Sequence, residues 1–221
     1  VNEQGKNPET LFAIQYDRAT SSNQSNGGHS QQHYFGGYMG SNTLGVKALK
    51  NDLCPTERYY YAYDKGDERF ESSIMTIIFG YDGKESNWSK EGYWGFFNTT
   101  AAEKDKLAIS WKFFPWYVDE ADVQAYMTAN NDKFITNTDV YKSTTKVIIV
   151  RENLKYWDYA KGGAESTMSF ENALKSIGYL PPVRKFDDKN TVSTVAQSGG
   201  DYRDVVILNA SEIYLTAAEA Y

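Results

Sequence analysis

The chain reads as an irregular, loop-rich region with short β-strands that runs into one strong amphipathic helix. Three observations predict this. Apolar runs with strand character are short, and polar or glycine-rich stretches separate them. Aromatic residues make up 15% of the chain, with 18 Tyr, 11 Phe and 5 Trp. That exceeds what a core of this size takes, so some rings are expected to face solvent or a ligand. The run Asp204 to Tyr221, DVVILNASEIYLTAAEAY, has helical spacing of polar and apolar residues.

Leu11 to Tyr16 alternates, with Phe12, Ile14 and Tyr16 on one face, and predicts a half-buried strand. Residues 19 to 45 are rich in Ser, Asn, Gln and Gly and show no period. A loop of that length is usually functional or disordered, and its embedded aromatics favour function. Residues 58 to 63 (RYYYAY) and 72 to 80 (SSIMTIIFG) read as strands, bridged by Asp64 to Arg69. Tyr81 to Asn98 is turn-rich and interleaves Trp88, Tyr93, Trp94, Phe96 and Phe97. The dense group Trp111, Phe113, Phe114, Pro115 and Trp116 reads as core.

A helix is predicted over Asp119 to Asn130, with Asp119 as cap and Asp122 in the first turn. Lys146 to Val150 is a short buried strand. Ser169 to Ser176 is a short helix with Ser169 as N-cap, closed by Gly178. The two prolines of GYLPPVRKF keep that stretch extended. In the last helix, Asn209, Glu212, Thr216 and Glu219 make a polar stripe. Ile207, Ala210, Tyr214, Ala217 and Tyr221 make an apolar face, widened by Leu208, Ile213, Leu215 and Ala218. So wide a face expects helical neighbours on more than one side. The last turn has no Gly, Pro or basic residue to close it, so the helix is expected to continue past Tyr221.

A net charge of −6 and a pI near 5.0 argue against nucleic-acid binding, which needs a basic stripe. Cys54 is the single cysteine, so neither an intramolecular disulfide nor a cysteine-based zinc site is available. No apolar run approaches the ~20 residues of a membrane span. His29 and His33 have i, i+4 spacing, but Gly27-Gly28 opposes a helix there and no third ligand stands near in sequence. No GxSxG elbow or phosphate-binding glycine loop occurs. The remaining signal is aromatic. Asn87-Trp88, Tyr93-Trp94, Tyr156-Trp157-Asp158 and His33-Tyr34-Phe35 set rings beside polar groups, as sugar-stacking platforms and peptide grooves do. The competing reading is that such rings fill the core of a loop-rich domain.

Four segments occur in order: NPETLFAIQYD (Asn7 to Asp17), GDERFESS (Gly66 to Ser73), GYLPPVRKFDD (Gly178 to Asp188) and RDVVILNASEIYLTAAEAY. They include an Asp-x-Arg-Phe step (Asp67, Arg69, Phe70), Lys185-Phe186 and a closing Ala218-Glu219-Ala220. In this the chain resembles the carboxy-terminal part of the SusD/RagB family of nutrient-binding outer-membrane lipoproteins. It departs from the family in lacking the amino-terminal helical region and the lipidated cysteine, and in having Asn209 where Arg is frequent.

The resemblance implies a mainly α, SusD-like fold with an irregular loop-rich region and short strands. Its last helix would belong to a tetratricopeptide-like array. Residues 1–200 would form the irregular region and 201–221 the first helix of the array. It implies a noncatalytic, lipid-anchored protein on the outer-membrane surface, needing no cofactor. Such a protein captures oligosaccharides, or alternatively peptides, for a SusC-type TonB-dependent transporter. A carbohydrate-active hydrolase and a purely structural scaffold are the readings from other classes. The four segments themselves read as scaffold, with Asp67 and Arg69 fixing a turn. On stacking chemistry alone, the candidate ligand contacts are Tyr34, Phe35, Tyr38, Trp88, Trp94 and Trp157. No metal ligand is assigned.

Overall fold

The computed structural model describes residues 9–15, 54–80, 101–141, 144–176, 178–184 and 205–220. Among them the helices are short: α1 (Glu57–Tyr61), α2 (Arg69–Ser73), α3 (Ala101–Lys104), α4 (Glu120–Ala129), α5 (Phe170–Leu174) and α6 (Ala210–Ala220). The described residues include seven strands in two sheets. The larger sheet has the order β2-β3-β4-β5-β6: β2 (Ile77–Phe79), β3 (Ile109–Phe114), β4 (Lys146–Ile149), β5 (Asn153–Asp158) and β6 (Ala164–Ser169). The smaller pairs β1 (Thr10–Ile14) with β7 (Val205–Asn209). The mainly α expectation is therefore overturned: the fold is mixed α/β. The runs ISWKFF, KVII and NLKYWD are β-branched and aromatic, and they pair as strands.

Within the large sheet every neighbouring pair is antiparallel except β3 and β4, which run parallel. Parallel neighbours need a crossover, and residues 115–145, carrying α4, supply it. Register then sorts the side chains. Phe113, Ile148 and Tyr156 lie opposite one another across three strands. With Trp111 and Leu154 they meet Tyr60, Tyr63, Phe70, Phe170 and Ala173 from α1, α2, α5 and their flanks in one buried cluster. On the second face Phe79, Val147, Ile149 and Trp157 pack against Val123 and Met127 of α4. Pairing shifts between Ile78 and Phe79, so Ile109 crosses to the second face beside Phe79. Each such fully buried large side chain contributes roughly 1.5–3 kcal/mol.

Thr145 locks the crossover to the sheet. Its N–H donates to Ile135 O at 2.9 Å, and its carbonyl accepts from Tyr159 N at 2.9 Å. Its hydroxyl accepts from Ile135 N at 2.7 Å and donates to Ile109 O. The side chain is fully buried, so each of these groups depends on a protein partner.

Several local readings change. RYYYAY is helical at Glu57–Tyr61, not a strand. The buried rings Tyr60 and Tyr63 are three residues apart, a helical spacing, and Tyr59 meets Tyr63 edge-on at 5.5 Å. SSIMTIIFG pairs as a strand in the large sheet only at Ile77–Phe79; its start ends α2, and Ile74 bridges Val183. The final helix begins at Ala210, because Val205–Asn209 pairs with β1. Asn209 caps it: its Oδ1 accepts from Ser211 N at 3.1 Å, and its N–H donates to Glu212 Oε2 at 3.4 Å. Two residues read as a polar stripe are thus a capping box. Phe12 and Ile14 of β1 are exposed rather than half-buried, and Ile213, Tyr214 and Leu215 of α6 are exposed too.

Other readings hold. β4 is buried as expected, and Ser169 caps α5 by accepting from Asn172 N at 3.3 Å. α4 spans the predicted residues, although the Asp119 side chain makes no cap bond. The Arg69 guanidinium grips Asp67 at 2.6 Å and fixes the turn into α2. Of GYLPPVRKF, by contrast, Gly178 to Leu180 turn and bend, and Pro181 and Pro182 lead into a bridge of Val183 with Ile74, with Met75 N donating to Pro182 O.

Gly178 has φ +82°, and a Cβ there would lie 2.7 Å from Trp111 Nε1. Gly178→Ala is expected to cost about 1–3 kcal/mol, read as a lowered urea midpoint. Thr145→Val, which keeps shape but strands Ile135 N–H and Ile109 C=O, is expected to cost about 1–3 kcal/mol in the same assay.

Candidate functional site

The second face of the large sheet is only partly roofed. Among the described residues, Val123 and Met127 of α4 cover the region around β4, while the outer part of β5 and β6 is left open. Register places Asn153 and Lys155 of β5 on this face with Glu165 and Thr167 of β6. The first turn of α4 brings Glu120 over them. The β4–β5 turn adds Arg151 and Glu152, and α1 adds Tyr61. Together these residues line an open cleft of about 490 Å³.

Its polar groups are fixed by one another. Glu120 accepts from Arg151 Nη2 at 2.8 Å and from Lys155 Nζ at 2.6 Å, and Lys155 also reaches Glu165 Oε1 at 2.9 Å. Hydrogen bonds from Lys155 and Arg151 hold the Glu120 carboxyl below its ordinary range. Hydrogen bonds to Glu120 and Glu165 push the Lys155 ammonium up. Both ions therefore stay charged near neutrality. The Tyr61 hydroxyl accepts from Glu152 N. Trp116 stands edge-on to Tyr61, with centroids 5.6 Å apart. Its indole N–H donates to Tyr63 O at 3.0 Å, and the residue is 37% exposed.

Of the predicted contacts, Tyr34, Phe35, Tyr38, Trp88 and Trp94 lie outside the described residues, as do His29 and His33. Trp157 is 5% exposed and packs among Phe79, Val123 and Ile149, with Lys155 Nζ 5.6 Å from its ring centroid. It belongs to the core beneath the cleft. The cleft residues escaped sequence reading because Glu120, Arg151 and Lys155 meet only through the crossover. One signal was present: in a helical register, three consecutive tyrosines cannot all face the core. Tyr60 is buried while Tyr61 turns to the cleft. Trp116, read as core, is the exposed member of its apolar group.

Elsewhere, burial pushes the Cys54 thiol up, and its sulfur lies 3.9 Å from Tyr60 Oη. Lys146 and Asp158 pair at 3.9 Å, both largely buried. Lys112 has its ammonium 4.7 Å from the Phe114 centroid and 5.3 Å from that of Tyr126. Among the described residues no group of three His, Cys, Asp or Glu side chains is placed to hold a metal ion. No helix of the described residues is long and apolar enough to cross a membrane.

No known protein family, no curated protein and no solved structure matches the chain.

Burial pushes the Lys112 amine down to about 8, against 10.5 for a free lysine. Desolvation outweighs the attraction of the Glu71 carboxylate. Between those values the unfolded chain holds a proton that the folded chain has shed. Stability from this group therefore rises with pH across that window. Lys112→Met is expected to remove that rise, measured by comparing urea midpoints of the two proteins from pH 7 to 10.

Proposed function

We propose that the chain is a noncatalytic binding protein of the outer-membrane surface, lipid-anchored in its full form, that captures oligosaccharides for a SusC-type TonB-dependent transporter. The observation that carries the ligand class is the open cleft, where fixed polar groups stand beside Tyr61, whose ring Trp116 meets edge-on from outside the cleft lining. Sugar hydroxyls both donate and accept. Asn153 and Thr167 offer both roles, the glutamates accept, and Arg151 keeps donors beyond the one given to Glu120. The Tyr61 ring supplies an apolar surface for a ring face, and the partly exposed Trp116 indole adjoins it. The four segments resembling SusD/RagB proteins support the transporter and the location.

The alternating acids and bases of the cleft support peptides as the second reading. Calorimetric titration with oligosaccharides and with peptides separates the two. Saturation by one sugar class, weakened about tenfold or more in Trp116→Ala, is the expected result. Saturation by peptides alone would transfer the cleft to the second reading. Release of shorter sugars from a labelled oligosaccharide would overturn the noncatalytic assignment.

A further inference from the structure

Among the described residues β6 is an edge strand of the large sheet. Its one neighbour among them is β5, and the two pair without a bulge from Ala164 to Ser169. Phe170 N donates to Glu152 O at 2.9 Å. Antiparallel pairing alternates, so Met168 and Ser166 turn their backbone groups toward β5, and Glu165 and Thr167 turn theirs outward. Sheet edges are ordinarily blunted by shortness, proline, charged side chains, bulges or a covering segment. The opposite edge follows that rule: β2 is three residues long, and the proline-bearing stretch that ends in Val183 runs beside its approach. β6 has six residues, with no proline or bulge, and its one charged side chain is Glu165, an acid.

We infer that β6 is a docking edge for an extended segment of a partner protein, which adds as a sixth strand and sets basic side chains toward the cleft. Residues directly opposite Glu165 and Thr167 would share their face of the sheet, so alternate side chains of the added strand flank the cleft. Charge selects those side chains. The cleft is lined by the carboxylates of Glu120, Glu152 and Glu165 against the cations of Arg151 and Lys155, an excess of one negative charge. Glu152 makes no ion pair among the described residues. On the other face the added strand would lie beside Ala164, Ser166 and Met168, which leave room for small or apolar residues. Main-chain bonds would supply affinity and the alternate side chains specificity. This inference does not depend on the oligosaccharide reading.

The test uses the full chain and a capped peptide of alternating lysine and threonine. Three companions accompany it: one with glutamate for lysine, one N-methylated at the lysine amides, one N-methylated at the threonine amides. In the docked strand the lysine amides face β6 and the threonine amides face away. The lysine peptide is expected to bind and to slow hydrogen exchange at the Glu165 and Thr167 amides. Methylating the lysine amides should weaken binding about tenfold or more, methylating the threonine amides little. The glutamate peptide should bind about tenfold more weakly at low salt. Failure of the lysine peptide to bind at millimolar concentration, equal binding of the two methylated forms, or unchanged exchange at Glu165 and Thr167 would each overturn the docking edge. Equal binding of the glutamate peptide would overturn its preference for basic partners.

Discussion

The parallel pairing of β3 with β4 is the constraint on which the rest of the large sheet depends. A hairpin cannot join parallel neighbours, so the chain must leave the sheet, cross one face and return. That excursion places α4 on the second face and makes a core there from Val123 and Met127. It also brings Thr145 back beside Ile109 and Ile135, where its backbone and hydroxyl bonds hold the ends of the crossover together. Such contacts are distant in sequence, and their loop-closure entropy must be offset by burial. The fully buried positions of β4 provide it.

The aromatic excess divides along the same lines. Most described rings are structural. Tyr59, Tyr60, Tyr63, Phe70 and Phe170 form a chain of tilted and edge-on contacts beneath the first face. Phe114 meets Tyr126, and Phe134 meets Tyr159, in the same manner. Edge-on pairs gain beyond their buried area, which suits a domain built from short elements. The cleft begins where this packing ends. Its ion pairs lie at the surface and contribute little to stability, so they can be rearranged around a ligand at small cost.

Three lysines on one sheet show how environment decides behaviour. Lys155 sits between Glu120 and Glu165 and is held charged. Lys146 pairs with Asp158 and lies within 6 Å of the Trp111 and Tyr179 ring centroids, at 5.8 and 5.7 Å. Lys112 has rings and no carboxylate contact among the described residues, and burial makes its amine easier to deprotonate. In sequence the three are indistinguishable, each a lysine among apolar residues. Their partners come from strands and helices up to 35 positions away.

By itself the sequence determined what local chemistry governs. The β-branched run at Lys146 makes a strand, Ser169 caps α5, and Asp67 and Arg69 fix a turn. These depend on neighbours within a few residues, so they are legible without the fold. Even locally, a competing signal misled where periods overlap. RYYYAY satisfies a strand period, yet burial of Tyr60 with Tyr63 selects a helix. VVILN continues a helical stripe, yet pairing with β1 makes it a strand and leaves Asn209 as a cap. Tertiary structure alone decided the sheet order, the burial of Trp157, the exposure of Trp116 and the meeting of Glu120 with Lys155. The physical reason is common to all of them. Each is set by contact between segments far apart in the chain, and no short window of sequence contains both partners.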